Sequence, residues 1–411
     1  MEVIKMKLCK WLLPLMLMLL CACAGAETAR EVTKDASFKV PYNNNTIRRM
    51  RDRDQQTAMQ AGSQKNPTVT VTMKEETCAA VYIEFGNSVM PFEVQAKEGK
   101  NWVTIAQCSA EYPQAYVEFE PQTEFRLYFP TGKKYEALYI REIYLFSEGE
   151  MDESIVHIWE PALEKADVLL LVAHPDDEIL WFGGTLPTLA GERGLNVTAA
   201  WLTCANTCRR LELMNAIWHC GIRNYPDIGD WEDIKSYNIN DLYKKWGKDK
   251  MDLYLVRLLR RYQPEVVITH AYDGEYGHAA HKVCAYSLTR AVELAADETF
   301  DKSSAQEYGA WQVKKLYVHK THEDLPVTVM DWHQPLSAFE GKTGYEIACE
   351  AYKMHASQPQ EKNGKEALYH VQDVGEEHDA AVYTLVYSTV GEDVLGGDFM
   401  ENIPAECLST N

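Results

Sequence analysis

Val168-Leu169-Leu170-Leu171-Val172-Ala173-His174-Pro175-Asp176-Asp177-Glu178 is the stretch on which the reading of this chain turns. Five consecutive apolar residues make a buried-strand run, and the chain then passes directly into a His, two Asp and a Glu. Further apolar strand runs follow at 197–202, 266–269 and 315–318. Helix-like stretches fall between and after them, at about 184–193, 209–220, 253–262 and 281–296. Strands alternating with helices imply an α/β fold, a Rossmann-like, mostly parallel sheet with helices on both faces. In such sheets the sites lie at the carboxyl ends of the strands.

Charge at the end of a buried strand is costly, and metal coordination is the commonest arrangement that makes it favourable. His174 and Asp177, three apart on a tight turn, can ligate one ion and leave Asp176 free to reach a water. Read alone, the two Asp residues would equally serve as caps at a helix start. The run at 266–269 also ends in chemistry: His270 follows it, then Tyr276, His278 and His281. His278 and His281, three apart, present to one side of a helical turn. Two clusters at strand ends of one sheet can meet at one rim, giving a His–Asp–His site with an open fourth position.

Upstream the texture changes. Short alternating runs such as Val69-Thr70-Val71-Thr72 and Phe125-Arg126-Leu127-Tyr128-Phe129, separated by Gly, Pro and Asn, predict an all-β sandwich at 63–150. Its last strand, "ALYIREIYLF", resembles that of discoidin-like, galactose-binding jelly rolls, which implies a carbohydrate-binding module. Residues 27–62 are polar, lack a sustained apolar period and read as a linker or arm. Residues 1–26 have the layout of a secretory signal: Lys5, Lys7 and Lys10, an apolar run from Trp11 to Leu20, then Ala24-Gly25-Ala26. The expected location is therefore exported, secreted or at the cell surface, with lipid attachment at Cys21 or Cys23 as the alternative. No later stretch is apolar and long enough to span a bilayer.

The 411 residues carry 41 Lys+Arg against 61 Asp+Glu, a net charge of -20, which argues against a nucleic-acid partner. Composition is otherwise ordinary for a globular chain. Eight cysteines follow the leader; Cys78 and Cys108 share one segment and could pair.

"VAHPDDEILWFGGTL", "RRLELMNAIWHCGI" and "THAYDGEYGHAAHKV" closely resemble the PIG-L/LmbE-like family of zinc-dependent N-acetylglucosaminyl deacetylases. "AYKMHASQ" at 351–358 and "LVYSTVGEDVLGGDFMENI" at 385–403 extend the likeness, and 160–411 is read as the deacetylase domain. The resemblance implies that His174, Asp177 and His281 hold zinc, with Fe2+ suited by the same ligands. It implies that Asp176 is the general base, that His278 stabilises the oxyanion, and that Tyr276 polarises the carbonyl or assists departure. Arg209 matches a substrate-contacting Arg; on a helix it could equally pair with Glu212. One departure is plain. The family commonly has Gly-His-Pro-Asp-His where this chain has Gly277-His278-Ala279-Ala280-His281, which removes a carboxylate that could orient a His.

The function implied is hydrolysis of the acetamide of an N-acetylated amino sugar or glycan, giving acetate and a free amino sugar. A secreted carbohydrate-binding protein with a degenerate hydrolase domain, or a zinc amidase acting on another amide, are the competing readings.

Overall fold

The computed structural model describes residues 27–41, 44–86, 89–132, 134–204, 207–320, 325–358 and 380–409. The expected leader at 1–26, with Cys21 and Cys23, lies outside them.

The N-terminal half is a sandwich built from β1 (Ala36–Lys39), β2 (Met59–Gln64), β3 (Thr68–Met73), β4 (Cys78–Phe85), β5 (Phe92–Glu98), β6 (Asn101–Cys108), β7 (Gln114–Gln122), β8 (Glu124–Tyr128) and β9 (Glu136–Phe146). They pair in two antiparallel sheets, β1-β3-β8-β5-β6 and β2-β9-β4-β7. Alternation sets which side chains meet: Val69, Val71, Val94, Phe125 and Leu127 pack against Val81, Ile83, Ile140, Ile143 and Leu145. Residues 27–62 depart from the expectation of a linker or arm, because they supply one strand to each sheet. Val32, Ala36, Val40, Met50 and Met59 enter the sandwich core, yet they are spaced irregularly through polar sequence and leave no period to read. Cys78 and Cys108 are free thiols, as are the other cysteines described.

The second half is a sheet of order β12-β11-β10-β13-β14-β16-β15, made of β10 (Val168–Val172), β11 (Val197–Trp201), β12 (Asp227–Ile228), β13 (Val266–Thr269), β14 (Lys315–His319), β15 (Val327–Val329) and β16 (Val382–Ser388). β10 to β14 are parallel, and β16 and β15 add an antiparallel edge. The principal helices are α1 (Asp177–Leu180), α2 (Thr207–His219), α3 (Lys248–Tyr262), α4 (Ala279–Ala296) and α5 (Gly344–Tyr352). β10 shows why both faces are covered. Val168, Leu170 and Val172 join one core with Ile179, Met214, Ile217 and Ile347. Leu169 and Leu171 join the other with Leu255, Leu259, Val283 and Leu288. β11 lies to one side of β10 and β13 to the other, so the strand order reverses between β10 and β13, and the crevice opens at their carboxyl ends.

The helix expected at about 184–193 begins earlier, as α1, and is interrupted by glycines. A Cβ on Gly184 would stand 2.4 Å from Trp332 Cβ, and one on Gly183 2.6 Å from Ala348 Cβ. Glycine is required there because α5 and the Trp332 loop press against the turn that carries the charged residues.

The halves are joined at the outer face of the four-stranded sheet. His157 stacks on Trp218 of α2, with ring centroids 4.8 Å apart, and its Nδ1 accepts from Gln114 Nε2 at 3.0 Å. Gln114 also donates to Asn215 at 2.6 Å. Burial, with Arg223 adding to it, pushes His157 down to about 3. From its ordinary value near 6.5 down to about 3, the unfolded chain therefore binds a proton that the folded chain refuses, and stability falls as pH falls through that window. The loss expected by the acid end is on the order of 4 kcal/mol. A His157→Gln chain should show a flatter acid limb in urea titrations run between pH 7 and pH 4; an identical limb would refute the assignment.

Candidate active site

The turn after β10 is held in a shape that few residues adopt. Asp176 has φ +108°, in the region disfavoured for any side chain with a Cβ. Its N–H donates to Glu178 at 2.9 Å, and Glu178 is itself fixed by Trp201 Nε1 of β11 at 3.1 Å and by His355 at 2.7 Å. Glu178 and His355 are fully buried. The conformation is thus over-determined by three partners from separate elements.

His174, Asp177 and His281 converge beside it. His174 Nδ1 stands 3.1 Å from Asp177 Oδ2, His281 Nε2 stands 3.3 Å from Asp177 Oδ1, and the two ring nitrogens are 3.3 Å apart. Donors about 2.0–2.1 Å from one tetrahedral ion lie about 3.3 Å from each other, and each of these separations is of that size, with His174 and His281 approaching different oxygens of Asp177. His278 groups with His174 and His281, and His270 with Asp177 and His281, within the same small volume. Their hydrogen bonds set them apart. His270 Nε2 accepts Ala173 N–H at 3.2 Å, and its Nδ1 donates to Glu275. His278 Nδ1 accepts Ala280 N–H at 3.3 Å as the cap of α4, which leaves Nε2 as a donor.

Glu275 is the hub behind the trio. One oxygen receives His270 Nδ1 at 2.7 Å and His281 Nδ1 at 2.8 Å; the other receives His319 Nδ1 at 2.6 Å and Ala271 N–H at 3.1 Å. A carboxylate only accepts, so every imidazole must present its Nδ1–H, and Nε2 of His281 is turned toward Asp177. The Pro-Asp that the chain lacks is replaced by Ala279 and Ala280, both buried, and the carboxylate oriented on His281 comes from Glu275 instead.

The electrostatics divide the two adjacent aspartates. Burial and the charge of Asp177 push Asp176 up to about 7, against the pull of Arg209. Burial acts in the same sense on Asp177, but His281, His270 and His174 outweigh it and hold it well below the usual carboxylate range. Two neighbouring carboxyls with opposite shifts can take different roles, one a ligand and one a base. Burial, with His174 and His281 close by, pushes His278 down to about 4, so it is neutral at physiological pH.

Arg209 lies 3.1 Å from Asp176 Oδ2 and also donates to the Pro175 carbonyl, rather than pairing with Glu212. Glu212 instead receives Ser357 N–H at 2.7 Å and its hydroxyl at 2.6 Å. Tyr276 is 56% exposed, with its ring 5.1 Å from Trp181, and sits at the mouth of the crevice. Asp273 faces outward toward Lys320. All seven residues singled out from the sequence thus fall on one rim. Glu275, His319, Glu178 and His355 were not among them.

The fold and this rim together define a Rossmann-like α/β domain with a metal-competent His/Asp centre at its switch point. Residues 169–292 match the family described as PIG-L: GlcNAc-PI de-N-acetylase, and that stretch of the chain is a PIG-L domain. A 1D-myo-inositol 2-acetamido-2-deoxy-alpha-D-glucopyranoside deacetylase of Catenulispora acidiphila is 30% identical over 180 residues, 36% of this chain and 54% of that protein. The chain spans about half the length of the curated relatives it matches. Among solved structures, the N,N'-diacetylchitobiose deacetylase of Pyrococcus horikoshii is 16% identical with a TM-score of 0.36, covering 52% of this chain and 74% of that one. An F5/8 type C domain of Bacteroides fragilis is 13% identical with a TM-score of 0.25, covering 30% and 97%.

Proposed function

We propose that this chain is an exported, metal-dependent N-deacetylase that hydrolyses the acetamide of an N-acetylglucosamine unit in a glycan or glycoconjugate. The observation that carries the reading is the pairing of Asp176, raised to about 7, with the trio His174, Asp177 and His281 spaced for one ion. His174, Asp177 and His281 would hold zinc or Fe2+, which when bound would supply Lewis acidity toward the amide carbonyl and a more acidic water. Asp176 accepts the proton of the attacking water and returns it to the departing amine. His278, neutral and with Nε2–H free to donate, stabilises the negative charge that develops on the carbonyl oxygen. Tyr276, at the mouth, reaches the same oxygen or the leaving group. Arg209 fixes the carboxylate of Asp176, 3.1 Å away, at the edge of the crevice where the sugar would lie.

Acetate release from a panel of N-acetylglucosamine glycosides tests this directly. Activity is expected to disappear on chelation and return with Zn2+ or Fe2+. A metal-replete chain that releases acetate from no member of the panel would shift the assignment to a sugar-binding protein or to another amide.

A further inference from the structure

Three consecutive residues in the loop after α5 are each held by a different part of the molecule. His355, fully buried, binds Glu178 of α1 at 2.7 Å, and the Ala356 carbonyl accepts from Gln56 of the sandwich half at 2.7 Å. Ser357 gives its N–H and its hydroxyl to Glu212 of α2. Gln358 follows, its backbone N–H donating to the His355 carbonyl at 2.9 Å. Pinned in this way, the loop carries the Gln358 side chain to the turn after β10. Its amide lies between Asp176 Oδ2 and Arg209 Nε, 3.3 Å from each. A carboxylate only accepts and a guanidinium only donates, so one orientation of the amide satisfies both neighbours. Nε2 donates to Asp176 Oδ2, and Oε1 accepts from Arg209 Nε.

Arg209 meets the same Oδ2 at 3.1 Å, which closes a triangle of Asp176, Arg209 and Gln358. A single partner would let the carboxylate pivot about that contact. A second donor, brought from a separate element, fixes its plane and leaves Oδ1 as the oxygen turned to the water. The gain is geometric, since a proton acceptor displaced by about 1 Å from its reacting partner loses much of its rate. We propose that Gln358 is a positioning residue of the reaction, locking the Asp176–Arg209 pair so that Oδ1 of Asp176 faces the attacking water. The inference rests on the proposed function, in which Asp176 is the base.

Gln358→Met keeps the length of the side chain and removes both hydrogen bonds. In the metal-loaded full chain it is expected to lower kcat for acetate release from N-acetylglucosamine glycosides about 10- to 100-fold, with KM within about twofold of the parent. In an Asp176→Asn background the same change is expected to alter the residual kcat by less than about twofold, because no base is left to position. A parent-like kcat, or a rise in KM alone, would leave Gln358 at most a sugar contact, and an equal loss in the Asn background would make it a support of the fold; each of these overturns the proposal. Crystal structures of the parent and of Gln358→Met read the same point without activity. The Asp176 carboxylate is expected to rotate out of its contact with Arg209 while the backbone of the turn stays in place, and an unmoved carboxylate overturns the inference. Failure of the deacetylase reading looks different: the carboxylate rotates in the variant, yet the parent releases no acetate from any glycoside.

Discussion

Asp176→Asn is expected to lower acetate release by about two to four orders of magnitude while the chain keeps its metal and its fold. Asparagine is the informative choice because it tolerates a left-handed backbone better than most residues, and position 176 sits at φ +108°. It also retains an oxygen for Arg209, 3.1 Å away in the parent chain. What it removes is the ability to hold a proton taken from water and deliver it to nitrogen. Asp177 cannot take over, since His281, His270 and His174 hold it ionised and it belongs to the ligand trio. Metal content by atomic emission and kcat measured on one preparation make the check. Full activity with Asn at 176, or loss of metal in parallel with activity, would remove Asp176 from the role of base.

Much of the α/β half is legible in sequence because parallel interior strands leave a simple trace. Five apolar residues such as Val168–Val172 are buried on both faces, and the polar residues that end the run mark the rim. The sandwich is less legible at its start. β1 and β2 contribute alternate or scattered residues from polar sequence, and β7 buries Ala115 and Val117 ahead of exposed Glu118 and Glu120. Their positions follow from partners far along the chain, as in the pairing of Met59 with Ile140. The site divides in the same way. His174, Asp177, His278 and His281 lie in two short motifs, each with its spacing on view. The partners that orient them do not: Glu275 meets His319, 44 residues on, because β14 lies beside β13. Glu178 meets His355 across 177 residues. Arg209 shows the opposite error, where a local pairing with Glu212 looks natural and the fold supplies Asp176 instead.

Glu275 carries the second large expectation. Glu275→Gln should weaken metal binding by about 10- to 100-fold, the usual cost of losing a partner behind a ligating histidine. The amide has one accepting oxygen and one donating nitrogen, so it cannot receive three Nδ1–H groups and the Ala271 N–H together. At least one imidazole must turn over its tautomer, and His281 has most to lose because its Nε2 would then carry the proton where a metal must bind. Glu275→Ala goes further. It leaves His270, His319 and His281 facing a buried gap, and about 3–5 kcal/mol of stability is expected to go with the lost partner. His319→Phe separates the two effects: it removes a donor to Glu275 and costs stability, but touches neither Asp177 nor His281, so metal affinity should stay near that of the parent. Competition against a chelator of known strength reads the affinity, and urea unfolding of the metal-free chains reads the stability. Parent-like metal affinity in Glu275→Gln would show that the ring of His281 is oriented by the packing of α4 alone, and the carboxylate would then be only a neutralising charge for the imidazoles around it.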